Sequence, residues 1–222
     1  MDLILYSLIF WVAAIVFTGL EVREKTGNVI TTIIKVIPAL TAVVFVFSSI
    51  PSPSLFYPLL LIALVFCGLG DVAMEYNILP GLGMFLFGHI VFIINFVMHS
   101  TVGVDIIPIA VFFICVAMML VYILLFHRYL LTAEEPTKMI KAVDVYALAI
   151  SFTFCTSILL WLSTATLFGF FPIIGVLFFI ASDSMIGIRE FHHRFRFDEP
   201  ATMITYYLAI FLISLAAIIY IV

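Results

Sequence analysis

Residues 55–74 read LFYPLLLIALVFCGLGDVAM, and residues 169–188 read GFFPIIGVLFFIASDSMIGI. Each run holds a single charged side chain, Asp71 in the first and Asp183 in the second. A helix needs roughly 20 mainly apolar residues to cross the hydrocarbon core of a bilayer. Lipid cannot satisfy backbone polar groups, so a chain crosses it as helices or as a closed barrel. These runs are too long and too continuous for barrel strands. Further runs of the same kind cover 3–20, 29–49, 78–99, 106–126, 142–163 and 201–221, with the weakest divisions at Glu75-Tyr76-Asn77 and around Asp105. The segments between them carry Pro, Gly, Ser or charge. The reading is an all-α, polytopic membrane bundle of eight transmembrane helices, taken as one integral membrane domain over 1–222. The first run follows Asp2 with no basic segment before it and no small-residue cleavage pattern after it, so it reads as a retained helix.

Composition agrees. Hydrophobic residues make up 66% of the 222 and charged ones 10%, and mean hydropathy is +1.36, values that exclude a water-soluble enzyme or a secreted domain. Nine Lys and Arg against 13 Asp and Glu leave no basic surface for a nucleic-acid backbone. Cys67, Cys115 and Cys155 all lie inside apolar runs, lack metal-ligand spacing and read as packing residues.

Cytoplasmic loops retain an excess of Lys and Arg. With eight spans, Arg23, Lys25, Arg128, Lys138, Lys141, Arg189, Arg194 and Arg196 share one side, and the opposite side holds none. That side is expected to be cytoplasmic and both termini non-cytoplasmic. The membrane is the plasma membrane in a prokaryote and the endoplasmic reticulum or another endomembrane in a eukaryote. The stretch 189–196 reads as a basic loop at an anionic membrane surface.

An ionisable group at bilayer depth costs several kcal/mol and is a functional candidate by default. Lys35, Asp71, Asp144 and Asp183 all fall within ~10 Å of the cytoplasmic ends at the helical rise per residue. Tyr206 and Tyr207 enter the last span at the depth of Asp183, and His89 is deepest, near the midplane. These groups predict a polar cavity open toward the cytoplasmic leaflet. Each has a plainer reading: Lys35 as a snorkelling side chain, Asp144 as a helix-start carboxylate, the tyrosines as interfacial belt residues, and His89 as a hydrogen-bonded core residue. Asp71 and Asp183 sit among small residues, Gly68-Leu69-Gly70-Asp71 and Ala181-Ser182-Asp183-Ser184, which leave room beside the carboxylates. The two acidic helices also stand four apart and run in the same direction, the pattern of a parallel four-plus-four repeat that would bring the aspartates face to face.

Lys35-Val-Ile-Pro38, Gly68-Leu-Gly-Asp71, Gly88-His89-Ile-Val-Phe92, Ser182-Asp183-Ser184 and Thr205-Tyr206-Tyr207-Leu-Ala209 occur in order along nearly the whole chain. They resemble the Lys-x-x-Pro, Leu-x-Gly-Asp, His-x-x-Tyr and Ser-Asp motifs of the lysoplasmalogenases of the transmembrane protein 86, or YhhN-like, type, and the Thr-Tyr-Tyr-x-Ala of its animal members. Phe92 replaces a Tyr of that pattern, and Ile210 stands where animal members often carry Gln. The resemblance implies hydrolysis of the vinyl ether of a lysoplasmalogen, giving a fatty aldehyde and glycerophospho-ethanolamine or glycerophospho-choline, with no cofactor. That chemistry asks for one protonated carboxylic acid and one carboxylate, the division of labour found in glycosidases. Asp71 and Asp183 are the expected catalytic pair. Lys35, His89, Tyr206, Tyr207, Ser182 and Asp144 are the expected substrate-binding or supporting residues. The expected partners are a lysophospholipid and the bilayer.

Three other readings fit the same residues. Intramembrane Asp, Lys and His also build a small transporter or proton-coupled carrier. A metal-dependent lipid hydrolase would place zinc on the carboxylates and His89. A lipid-binding regulatory protein would turn nothing over.

Overall fold

The computed structural model describes residues 1–23, 25, 27–50, 54–100, 106–133 and 139–220. The division at Asp105, the loop cation Lys138 and the last two residues of the chain lie outside the described residues. Among the described residues there is no strand, and eight helical spans are long and apolar enough to cross a membrane. In chain order they are α1 Leu3–Val22, α2 Val29–Ser48, α3 Phe56–Met74, α4 Ile78–His99, α5 Ile106–Leu130, α6 Ile140–Thr164 and α7 Phe171–Phe191. The eighth span, Asp198–Ile219, is divided at Leu215 into α8 Asp198–Ser214 and α9 Ala216–Ile219. The chain is an integral, multi-pass membrane protein.

Caps mark several helix starts. The Asp2 side chain accepts from Leu5 N at 2.7 Å, Asn77 accepts from Leu79 N at 2.9 Å, and Asn28 and Thr31 form a reciprocal capping box at the start of α2. The observed ends correct the predicted ones where charge was read as loop. α5 continues to Leu130 with His127 and Arg128 in its last turn, and α7 continues to Phe191 with Arg189 in its last turn. α8 opens at Asp198, earlier than the predicted 201, with Asp198 and Glu199 in its first turn. In each case the charge complements the helix dipole, so these residues extend the helix. Pro200 fits in the first turn of α8, where its missing N–H is not needed.

α3 packs on α4 and α7 on α8 most extensively; α2 lies against α1, α3 and α8, and α6 lies against α4, α5 and α7. Small residues set the closest approaches, as expected where lipid is as apolar as the side chains. A methyl group on Gly88 would lie 3.2 Å from the Ala63 carbonyl of α3, and one on Gly175 would lie 2.8 Å from Ile213 Cγ1 and 3.0 Å from the Ala209 carbonyl of α8. Gly68 abuts Ala39 of α2, and Gly70 abuts the Phe85 ring of α4, so the glycines flanking Asp71 do bring neighbouring helices close.

The buried centre is aromatic. Tyr6 stacks on Phe45 at 4.3 Å and on Phe211 at 5.3 Å, and its hydroxyl lies 2.6 Å from Ser214 Oγ. That bond joins the start of α1 to the end of α8, so the two ends of the chain lie at the same end of the bundle. The Tyr220 hydroxyl donates to the Gly169 carbonyl at 2.9 Å there. α5 stands apart, packed chiefly on α6, and Leu130 is its only buried residue.

Candidate functional site

At the other end of the bundle the helices part around a cavity of about 520 Å³. Lys35 comes from α2, Asp71 from α3, Ser182 and Asp183 from α7, and Tyr206 from α8. Five of the residues singled out in the sequence therefore meet on the walls of one space. Glu21, Glu75, Arg189, Glu190 and Glu199 line it as well, from helix ends and the turn that joins α3 to α4. The described cations Arg23, Lys25, Arg194 and Arg196 belong to the connections at this same end, and Arg189 to the last turn of α7.

Each aspartate has its own tyrosine. The Tyr206 hydroxyl donates to Asp71 Oδ2 at 2.8 Å, and the Tyr146 hydroxyl donates to Asp183 Oδ2. Asp71 is 2% exposed, whereas Asp183 is half-buried and faces the cavity. Tyr206 is held edge-on by Phe85 and Phe179, at 5.8 and 5.5 Å between ring centres. Such contacts restrict the ring and aim its hydroxyl. The Ser182 hydroxyl donates to the Thr202 carbonyl at 3.1 Å, tying α7 to α8 beside Asp183.

Lys35 Nζ lies 2.6 Å from Glu75 Oε1, the two side chains being 12% and 22% exposed, and sits 5.9 Å from the Phe17 ring centre. Pro38 lacks the N–H that would continue the ladder of α2 at that turn. One residue beyond the carbonyl thus released, the Lys35 carbonyl accepts the Tyr207 hydroxyl at 3.1 Å. Tyr207 therefore braces the backbone that carries Lys35 and does not line the cavity.

Two further predicted residues lie elsewhere. His89 is 1% exposed and sits behind the cavity wall, its Nδ1 3.1 Å from Thr153 Oγ1 and its ring against Phe179 and Tyr146 at 4.8 and 5.6 Å. Its Nε2 has no hydrogen-bond partner among the described residues. Asp144 faces α5, with its carboxylate 2.9 Å from His127 Nδ1.

Tyr146 and Glu75 escaped the sequence reading. Tyr146 is one of nine tyrosines, and its signal was depth, since it enters α6 at the level at which Asp183 leaves α7. Glu75 was read only as a divider between spans, although it shares a membrane end with Lys35. Among the described residues, no group of three or more His, Cys, Asp or Glu side chains is arranged to hold a metal ion.

No curated protein and no solved structure matches the chain. A family model does: that of the YhhN family, over residues 30–217, which takes in Lys35, Asp71, Ser182, Asp183 and Tyr206 on the cavity walls and the bracing Tyr146 and Tyr207. A match over that much of the sequence, carrying the motifs that line the cavity, makes the chain a member of the YhhN family.

Proposed function

We propose that the protein is a lysoplasmalogenase-type ether hydrolase, cleaving the vinyl ether of a lysoplasmalogen by carboxyl acid–base catalysis. The observation that carries this reading is the pair Asp71 and Asp183 on the walls of one cavity, each hydrogen-bonded to a tyrosine, in a chain of the YhhN family. A proton from one carboxylic acid passes to the β-carbon of the vinyl ether, whose π electrons form the new C–H bond and leave an oxocarbenium ion. The second carboxylate stabilises that cation and takes a proton from the attacking water. The resulting hemiacetal collapses to a fatty aldehyde and a free glycerol hydroxyl, so that one water is consumed in all. Lys35 receives the lipid phosphate, and Ser182 and Tyr206 face the glycerol end of the substrate.

The cavity opens at the end that carries the described loop cations, which supports a cytoplasmic mouth and non-cytoplasmic termini. The helix pairs α1–α2, α2–α3, α3–α4 and α2–α8 recur as α5–α6, α6–α7, α7–α8 and α6–α4, which supports a parallel four-plus-four repeat.

The deciding measurement is aldehyde release from a defined lysoplasmalogen by purified protein in detergent, for wild type, Asp71→Asn and Asp183→Asn, with and without chelator. Release by wild type that is indifferent to chelator and falls by about 10²- to 10⁴-fold in each variant is expected. Loss on chelation moves the two carboxylates to a metal site, and absence of aldehyde from every vinyl-ether lipid removes the reaction.

A further inference from the structure

An apolar slot borders the polar cavity. It is narrow, with only about 30 Å³ of open space, lies between α4, α6 and α7, and shares wall residues with the cavity. Leu82, Val143 and Phe191 belong to the slot alone, while Phe85, Ile186 and Asp183 line both slot and cavity. Among the described residues, Asp183 is the one charged residue common to the two spaces, and Asp71 lines the cavity only. The other polar member of the slot is Tyr146, whose hydroxyl is already given to Asp183.

We propose that this slot is the binding site for the hydrocarbon chain of a single-chain phospholipid whose polar part fills the cavity, so that the bond joining the two parts lies beside Asp183. The inference rests on the hydrolase reading for the reaction but not for the binding. An amphiphile needs one polar and one apolar compartment that meet, and its head–tail junction must lie where they do. The slot is too narrow for two chains side by side, because even one chain enters only when the half-buried Leu82, Ile186 and Phe191 part. The junction of a lysoplasmalogen is its vinyl ether, so Asp183 is the carboxyl group adjacent to the reacting carbons. Asp71, more buried and held by Tyr206, is left on the glycerol side. A second apolar groove, between α2 and α3, also adjoins the mouth at Gly27, Glu75 and Tyr76. It carries Asn28 and Thr32 and reaches neither aspartate, so a chain lying there would hold the junction away from both.

The test is photo-labelling of the protein in phosphatidylcholine nanodiscs with a lysophosphatidylcholine carrying a diazirine in its chain, the sites being mapped by mass spectrometry. Label is expected on Leu82, Val143 or Phe191, falling by about tenfold in Val143→Trp, which fills the slot. Leu82→Trp, on the facing helix, gives the same loss and guards against a misfolded first variant, with a melting curve in detergent for each. Label concentrated on Ile33 and Leu40 of the α2–α3 groove, or spread over α5 and unchanged by either tryptophan, overturns the proposal. Labelling needs no turnover. A protein that labels in the slot yet releases no aldehyde keeps the chain site and loses the reaction, and one that releases aldehyde while labelling elsewhere does the reverse.

Discussion

Tyr206 and Asp71 stand 135 residues apart in the chain, and the hydroxyl of one donates to the carboxyl oxygen of the other at 2.8 Å across the α8–α3 contact. The bond fixes the orientation of a carboxyl group that has no other side-chain hydrogen bond among the described residues. Removing the hydroxyl while keeping the ring isolates that effect. Tyr206→Phe is expected to lower kcat by about tenfold with KM little changed, since a hydrogen bond to a carboxylate contributes about 1.5–3 kcal/mol. Steady-state aldehyde release checks it, and an unchanged kcat means that the carboxyl orientation does not depend on this tyrosine.

Lys35 tests the polar mouth. Its ion pair with Glu75 lines the cavity but is largely sheltered, at 12% and 22% exposure, so Lys35→Met is expected to cost about 1–3 kcal/mol of stability, between the values for an exposed and a buried pair. Loss of the phosphate partner is instead expected to raise KM by about tenfold while kcat holds. A large fall in melting temperature with KM intact makes Lys35 a structural residue.

Helix packing supplies a paired comparison. Gly175→Ala puts a methyl group 2.8 Å from Ile213 Cγ1 and against the α8 backbone, with an expected cost of about 1–3 kcal/mol. Gly19→Ala, with nothing within 4 Å of the new methyl, is expected to be neutral or to stabilise by up to about 1 kcal/mol through helix propensity. Thermal melts in one detergent rank the two, and equal melting temperatures contradict the close α7–α8 approach.

Tyr6→Phe keeps the stacks on Phe45 and Phe211 and removes only the bond to Ser214. A loss of about 0.5–1.5 kcal/mol in reversible unfolding is expected. The other face of that variant is catalytic: Tyr6 lies at the opposite end of the bundle from the cavity, so turnover per folded molecule should match wild type.

Much of this architecture was legible one residue at a time. Eight apolar runs specify eight helices because lipid leaves the backbone no other way to satisfy its polar groups. Asp71 and Asp183 stand out as isolated charges in such runs, and Lys35, Ser182 and Tyr206 share their depth, so a one-dimensional reading of depth was enough to bring these five together. Depth says nothing of azimuth. Tyr146 and Asp144 lie two residues apart on α6, yet one reaches Asp183 and the other turns to His127 on α5. His89 has the right composition and faces Thr153 in the protein interior. The ends at 126, 188 and 201 were misplaced because charge reads as loop in a hydropathy count, whereas at a helix terminus it complements the dipole. Apolar length and rise per residue are enough to specify the helices, their order and the depth of each polar group. Which groups share a cavity, and which aspartate borders the apolar slot, emerges only on packing, because rotation about a helix axis is set by the neighbours it packs against.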